Sequence, residues 1–166
     1  MKQTRNWRGL LLAISAFTLA LDRFTKTWVN HHIEEGTGIT IIPRIFRISH
    51  VQNPGAAFSM FSESANPDRT RWILIAFSLL AAAVVLGVLL RIGRRFTMTS
   101  LSMALVLGGA IGNAWDRIRY GTVVDFLEVH IVHYHWPDFN VADSAIVIGG
   151  VLLLLDALFR KPEKEA

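Results

Sequence analysis

Long apolar segments separated by short charged or polar ones form the pattern of this chain. The clearest of them, residues 72–90, holds no charged residue and is flanked by Arg71 and Arg91. A helix rises about 1.5 Å per residue, so this segment covers roughly 28 Å and can cross the hydrocarbon core of a bilayer. Three more segments have a similar character, at residues 7–29, 98–115 and 141–159. The pattern predicts a membrane α-helical protein with four transmembrane helices.

The segment between the first two predicted helices has a different composition. Residues 31–71 are interrupted by glycine and proline, and β-branched residues cluster between these breaks. Two short runs are typical of strands, at residues 39–42 and 45–51. An aromatic run at 56–61 follows an Asn-Pro-Gly turn, and we expect its side chains to pack in a core rather than to bind a ligand. The sequence therefore predicts a small β-rich lobe between helices 1 and 2.

Composition supports a membrane protein and excludes other classes. Hydrophobic residues make up 52% of the 166 residues and the mean hydropathy is +0.38, which is too apolar for an ordinary soluble domain. The net charge is +4, but the basic residues lie at the ends of apolar runs, which argues against a nucleic-acid partner. The absence of cysteine excludes disulfides, thiolate metal sites and a cysteine nucleophile. We expect a single polytopic membrane domain over residues 1–166.

The distribution of lysine and arginine predicts the orientation in the membrane. Nine of the 17 Lys and Arg residues lie in three short segments, at residues 1–9, 91–97 and 160–166. By the positive-inside rule both termini are cytoplasmic and the 31–71 lobe is extracytoplasmic. Arg23 and Lys26 oppose this orientation because they lie near the outer end of the first helix. That helix resembles a secretory signal peptide, but no small-residue cleavage site follows, so we expect it to stay uncleaved.

Two carboxylates flank the outer loop between the third and fourth predicted helices. Asp125 lies in an extended apolar run and Asp143 lies at the start of the fourth helix. A charged group near bilayer depth costs several kcal/mol unless it is paired or faces a wet cavity, so both are functional candidates. The apolar neighbours of Asp125 are expected to raise its pKa. The predicted topology brings the two carboxylates together at the outer face.

Asp143 also has a purely structural interpretation. Asn140 is a suitable N-cap, and an acidic residue three positions later stabilises a helix N-terminus. The helix dipole favours the ionised form of Asp143, which predicts Asp143 as the base and Asp125 as its protonated partner. Two coupled carboxylates titrate as a unit, however, and the shared proton can lie on either of them. Two carboxylates that share a proton can activate water and protonate a carbonyl oxygen, which hydrolyses a peptide bond without a metal ion.

Charged residues at helix spacing have competing interpretations. Asp22 and Lys26 are one turn apart on one face and can neutralise each other, or Asp22 can support a site. Asp156 lies four residues before Arg160, which predicts an ion pair at the end of the fourth helix. Ion pairing within a helix is therefore enough to explain both Asp22 and Asp156, and neither needs a functional role.

The third predicted helix combines small and polar residues. Gly108 and Gly112 form a GxxxG pattern, which predicts close contact with another helix. Asn113 and Arg117 are one turn apart, where they can cap, clamp or orient a polar group. Two other classes of membrane protein are compatible with part of this pattern. A structural scaffold protein would explain the two glycines, but Asn113, Arg117 and Asp125 would then have no role. A small transporter or channel would also place polar residues at membrane depth, but the chain shows no internal repeat or interrupted helix.

The histidines of the outer loop suggest a competing, metal-based chemistry. His130, His133 and His135 lie between the two aspartates, and imidazole and carboxylate both ligate zinc. Their spacing is not that of a helical ligand pair, and in a continuous strand His133 and His135 share one face with His130 on the other. We expect these residues, like His31 and His32, to be interfacial or solvated. No serine lies in a G-x-S-x-G elbow, which argues against a serine hydrolase.

Five motifs follow one another along the chain. They are D-x-x-T-K at 22–26, Q-N-P-G-A-A-F-S at 52–59, G-G-A-x-G-N-x-x-D-R at 108–117, G-x-V-V-D-F at 121–126 and F-N-x-A-D-S at 139–144. By these motifs the chain resembles the lipoprotein signal peptidases, or signal peptidase II, which are bacterial membrane aspartyl peptidases. The resemblance extends from the first predicted helix to the fourth.

The resemblance implies that Asp125 and Asp143 are the catalytic dyad. The supporting or substrate-binding residues that it implies are Asp22, Asn53, Gly109, Asn113, Arg117 and Asn140. The implied substrate is a diacylglyceryl-modified prolipoprotein, cut just before its lipidated Cys at the outer face of the bacterial cytoplasmic membrane, with the lipid entering from the bilayer. We expect no cofactor and no resident metal ion, a monomer, and inhibition by cyclic peptides of the globomycin type. Arg23 and the histidine-rich loop receive no role.

Overall fold

The computed structural model describes residues 6–55, 66–132 and 134–159. Four long helices and four strands follow one another along these residues. The helices are α1 (Arg8–His32), α2 (Pro67–Ile92), α3 (Met98–Tyr120) and α4 (Val141–Phe159). The strands are β1 (Gly38–Ile42), β2 (Phe46–Asn53), β3 (Val123–Ile131) and β4 (Tyr134–Phe139). The aromatic run at 56–61, His133 and Arg160 lie outside the described residues.

Local capping determines where the helices begin and end. Helix α4 has the predicted bounds, whereas the other three are longer than predicted. Helix α2 begins early because the Asn66 side chain accepts a hydrogen bond from the Arg69 backbone N–H at 3.2 Å, and proline suits the first helical position. Helix α3 continues five residues beyond its predicted end and stops at Gly121, whose φ of +87° forms a left-handed cap.

Length and composition identify two candidate membrane spans within the described residues, Asp68–Ile92 and Val141–Phe159. Helices α1 and α3 are more polar because each carries charged side chains. Several of these side chains face the interior of the bundle rather than its outside. Asp22 and Lys26 of α1 and Asp116 of α3 are fully buried and paired with one another across the helix interface. Pairing is the condition under which charge is tolerated in an apolar setting.

Helix α3 packs against each of the other three helices. A Cβ atom added at Gly108 would lie 2.6 Å from the backbone oxygen of Ser15, and one added at Gly112 would lie 2.7 Å from Oδ2 of Asp22. Both neighbours belong to α1, so the close helix contact predicted from the GxxxG pattern is confirmed. Only glycine leaves enough room for these two helices at this distance.

The four strands form one antiparallel sheet in the order β1-β2-β3-β4. The two strand runs predicted before α2 are confirmed, with β1 beginning one residue earlier than predicted and β2 running from Phe46 to Asn53 instead of 45–51. The structure corrects the prediction that the β-rich lobe comes from residues 31–71 alone, because β3 and β4 lie between α3 and α4. Strand β2 pairs with β3 so that Val51 lies opposite Asp125 and Asn53 lies opposite Val123. This register brings the side chain of Asn53 within hydrogen-bonding distance of Asp125, which lies 72 residues further along the chain.

Gly109 lies at a close contact between α3 and α4. A Cβ atom added there would lie 2.4 Å from the backbone oxygen of Ala142 and 2.9 Å from Cγ1 of Ile146. Because the nearest atom belongs to backbone, α4 must move, and we expect Gly109→Ala to destabilise the fold by about 1–3 kcal/mol. The control is Gly150→Ala, whose Cβ meets nothing within 4 Å and gains helix propensity. Thermal unfolding in detergent compares the two, and equal midpoints would contradict a tight contact at Gly109.

Candidate active site

Asp125 is a buried carboxyl in the middle of the sheet. Its Oδ2 accepts a hydrogen bond from Nδ2 of Asn53 at 2.8 Å, and its Oδ1 accepts one from Nδ2 of Asn140 at 2.7 Å. Asn53 comes from the end of β2 and Asn140 from the residue before α4. Both carboxyl oxygens are therefore held by amide groups from two other elements.

Asp143 lies in the first turn of α4, where the predicted capping arrangement is confirmed. The Asp143 backbone N–H donates to Oδ1 of Asn140 at 2.9 Å, and the Asn140 backbone N–H donates to Oδ2 of Asp143 at 3.2 Å. The other oxygen, Oδ1, accepts a hydrogen bond from Nδ2 of Asn113 at 2.8 Å. Because capping occupies mainly one oxygen, the structural interpretation of Asp143 does not exclude a chemical role.

Two asparagines connect the carboxyls. Nδ2 of Asn140, which donates to Asp125, also lies 3.3 Å from Oδ1 of Asn113, and Nδ2 of Asn113 donates to Asp143. The hydrogen-bonded series Asp125, Asn140, Asn113 and Asp143 therefore joins β3, α3 and α4. Both aspartates line the same cavity. The structure thus brings together residues that the sequence singled out separately.

The surroundings of Asp125 favour its protonated form. Burial is the largest cause, and the nearby Asp143 carboxylate adds to it, so that the pKa of Asp125 rises to about 7. The hydrogen bonds from Asn53 and Asn140 and the charge of Lys26 act in the opposite direction and are outweighed. The raised pKa predicted from the apolar neighbours is confirmed. Near neutral pH, Asp125 is present in both protonation states, as a group that accepts and donates protons requires.

The cavity has a volume of about 670 Å³ and two chemically different parts. One part contains Asp125, Asp143, Asn113 and Arg117. The rest is lined largely by side chains of α2, α3 and α4, which include Leu74, Phe77, Ala81, Val106, Ile146 and Val147. This arrangement suits a molecule that is polar at one end and hydrocarbon along its length.

A buried cluster of charged residues contacts the candidate site through Asn113. Nζ of Lys26 lies 2.9 Å from Oδ2 of Asp22, which confirms the predicted pair, and 2.8 Å from Oδ2 of Asp116. The same Nζ donates to Oδ1 of Asn113 at 3.0 Å. Because the Asn113 oxygen is occupied by Lys26, its NH₂ group is directed to Asp143. Oδ1 of Asp22 also accepts a hydrogen bond from the backbone N–H of Ala142 at the start of α4, at 3.0 Å.

Sequence reasoning missed Asp116 and left Arg23 without a role. Arg23 forms an ion pair with Asp116, and Asp116 also contacts Lys26. Together with Asp22, these residues form a cluster of two positive and two negative charges. The sequence did contain a sign of this cluster, because α1 and α3 each carry charged residues within an apolar stretch, where charge must be paired. The sequence did not show which of these charges pair with one another.

Arg117 holds the chain that follows β2. Its NH2 nitrogen donates to the backbone oxygen of Gly55 at 2.7 Å, and its NH1 nitrogen donates to the backbone oxygen of Asn113 at 3.3 Å. The Gly55 backbone N–H in turn donates to Oδ1 of Asn53 at 2.9 Å. Arg117 therefore orients the turn that carries Asn53, as expected for a residue that orients a polar group.

Gly109 lies at the contact between α3 and α4, where it determines how close α4 approaches.

Two of the outer histidines, His130 and His135, are partly exposed, as expected, and they face each other across a hairpin. His130 and His135 are directly opposite each other on β3 and β4, with ring centroids 4.7 Å apart. The case of one continuous strand does not apply, because β3 ends at Ile131, Val132 has a φ of +58° and β4 begins at Tyr134. Cross-strand partners lie on the same face of a sheet. His31 and His32 are exposed at the end of α1, as expected.

Comparison with known proteins identifies the family. The model of the family described as signal peptidase (SPase) II matches residues 14–159. The lipoprotein signal peptidase of Syntrophus aciditrophicus is 39% identical over 155 residues, which cover 93% of this chain and 96% of the relative. That of Pseudomonas putida is 41% identical over 155 residues, which cover 93% and 89%. A solved bacterial membrane enzyme is similar over 100% of both chains, with a TM-score of 0.76 and 26% identity. A match of this extent places the chain in the signal peptidase II family.

Proposed function

We propose that this protein is a membrane aspartic endopeptidase that cleaves diacylglyceryl-modified prolipoproteins just before the lipidated Cys. The observation that carries the proposal is the hydrogen-bonded connection of Asp125 and Asp143 at one cavity. The names of the relatives, which are lipoprotein signal peptidases, support the substrate class. Asp22, Asn53, Asn113, Arg117 and Asn140 act in this proposal by positioning the two carboxyls and the bound peptide. Gly109 acts through the placement of α4.

The proposed reaction requires one proton shared by the two carboxyls. Asp143 takes a proton from a water molecule, which attacks the scissile carbonyl carbon, while protonated Asp125 donates its proton to the carbonyl oxygen. The tetrahedral intermediate then collapses as one of its two hydroxyl groups returns a proton to Asp125, the C–N bond breaks, and the leaving amine receives the proton held by Asp143. The pair is thereby restored with its single shared proton. The raised pKa of Asp125 supports its role as the initial acid. No metal ion, cofactor or covalent intermediate takes part.

The two parts of the cavity support a lipidated substrate. The polar part contains the dyad with Asn113 and Arg117, where a peptide backbone finds hydrogen-bonding partners. The apolar part between the helices suits the acyl chains of a diacylglyceryl group, which enter from the bilayer. In this proposal the cleaved bond lies between the two parts, next to the lipidated Cys.

The proposed setting is the bacterial cytoplasmic membrane. All four helices cross it in a single polytopic domain of residues 1–166, with both termini cytoplasmic and the dyad near the outer face. The apolar composition of α2 and α4 supports two crossings, and the mutual pairing of the charges on α1 and α3 makes two more physically acceptable. We propose a monomer and inhibition by globomycin-type cyclic peptides, which would occupy the same cavity.

The direct test is cleavage by the purified protein in detergent. We expect cleavage of a diacylglyceryl prolipoprotein in the presence of a chelator and much slower cleavage of the same prolipoprotein without the lipid. Above pH 7 the rate should fall, because Asp125 loses the proton that it donates once the pH exceeds its pKa of about 7. Equal cleavage of both substrates would contradict the lipid specificity. Loss of activity with chelator in a protein that is still folded, and equally in the His135→Asn variant, would contradict the metal-free mechanism.

A further inference from the structure

Three side chains that commonly ligate metal ions meet on one face of the hairpin formed by β3 and β4. They are Glu128, His130 and His135, and one ligand atom from each lies within 4.8 Å of the others. His130 and His135 are cross-strand partners, and Glu128 precedes His130 by two positions, which puts all three on the same face. None of the three lines the cavity that contains the dyad. The proposed peptidase reaction therefore leaves this cluster without a role.

The distances fit ligands of a single ion. Oε1 of Glu128 lies 2.8 Å from Nε2 of His130 and 3.4 Å from Nε2 of His135. Ligand atoms bound to a tetrahedral zinc ion at about 2.0–2.1 Å lie roughly 3.3 Å apart, so the three side chains must rearrange from the present hydrogen bond between Glu128 and His130 to reach that spacing. Two imidazole nitrogens and one carboxylate oxygen form a donor set that suits zinc and leaves a coordination position for water.

A neighbouring arginine holds the carboxylate in the required orientation. NH1 of Arg47 lies 3.1 Å from Oε2 of Glu128, and Arg47 is the cross-strand partner of Glu128 on β2. Because Arg47 occupies Oε2, the other oxygen is directed to the two imidazoles. Partners of this kind outside the ligand set fix the orientation of the ligands and tune the affinity. The imidazoles are accessible, with side chains 38% and 51% exposed, so an ion can reach them.

We propose that Glu128, His130 and His135 bind one divalent transition-metal ion of the zinc class. The ion would tie β3 to β4 near the turn between them. Strand β4 also carries Trp136 and Asp138 on the cavity wall, so the metal would stabilise one wall of the cavity without touching the reacting groups. The proposal does not depend on the peptidase function, because it uses neither Asp125 nor Asp143.

The test is zinc titration of the full chain in detergent after treatment with a chelator, followed by calorimetry. We expect one high-affinity zinc ion per chain, and at least about a tenfold loss of affinity in His135→Asn and in Glu128→Gln, since even outer partners of a metal site contribute about 10–100-fold. His31→Asn is the matched control, because it removes an exposed imidazole at the end of α1, whose Nδ1 lies 2.7 Å from the backbone oxygen of Thr27. Equal zinc affinity in wild type and His135→Asn would overturn the site.

A second measurement separates binding from folding. Cobalt(II) in place of zinc should produce visible absorption bands of a tetrahedral site in wild type and not in His135→Asn. The thermal midpoint without metal should be the same in both proteins, and zinc should raise it only in wild type. Asp125→Asn should keep full zinc affinity, which distinguishes failure of the dyad from failure of this site. Zinc stabilisation that persists in His135→Asn would overturn the proposal.

Discussion

The Asp125→Asn and Asp143→Asn variants are each expected to lower the rate of prolipoprotein cleavage by about 10²–10⁴-fold, the usual contribution of a positioned acid or base. In the proposed mechanism, Asp143 accepts the proton of the attacking water and Asp125 supplies a proton to the carbonyl oxygen. An amide at either position can do neither, and the proton that the pair shares is lost. The measurement is the single-turnover rate at neutral pH with a saturating amount of enzyme.

These variants should still fold. In each, one oxygen that accepts a hydrogen bond becomes an NH₂ group facing a donor, at Asn53 or Asn140 for Asp125 and at Asn113 or Asn140 for Asp143. The loss of one hydrogen bond costs about 1 kcal/mol, which is small beside the expected effect on the rate.

Asp138→Asn is the matched control for the dyad. Asp138 lines the same cavity, burial also raises its pKa, and its Oδ1 accepts a hydrogen bond from Ser49 at 3.2 Å. It does not belong to the series that connects the dyad, so we expect less than about a tenfold change in rate, well below the contribution of a positioned acid or base. An active, folded Asp143→Asn variant would leave Asp143 with its capping role alone.

Lys26→Met is expected to destabilise the fold by about 3–5 kcal/mol, more than Gly109→Ala. Lys26 is fully buried and its Nζ contacts Asp22, Asp116 and Asn113. Methionine has a similar length but no charge, so the cluster keeps two carboxylates with Arg23 as the remaining partner. The uncompensated negative charge in an apolar setting causes the loss. The free energy of unfolding in detergent measures it.

Two comparisons test this explanation. Arg47→Met removes an ion pair with Glu128 in which the arginine side chain is 37% exposed, so we expect a cost below about 1 kcal/mol. The double variant Asp22→Asn/Lys26→Met should recover part of the stability, because it restores neutrality to the cluster. A cost for Lys26→Met no larger than that for Arg47→Met would contradict the importance of the buried charges.

The sequence by itself determined the features that depend on local spacing. The apolar lengths predicted four long helices, and the structure contains them with ends displaced by a few residues through capping. The Asp22–Lys26 pair and the Asn140–Asp143 cap are confirmed because residues three or four apart on a helix are neighbours whatever the rest of the chain does. The apolar neighbours of Asp125 likewise predicted the direction of its pKa shift.

Only the tertiary structure decided which distant residues meet. Asn53 reaches Asp125 through the register of β2 with β3, and Lys26 reaches Asn113 through the packing of α1 on α3. The division of the sheet between two parts of the chain and the pairing of His130 with His135 have the same origin. Strand register and helix contact depend on how all the apolar surfaces are buried together, so no spacing along the chain encodes them. The candidate site is a product of those long-range contacts, whereas its individual residues were visible in the sequence.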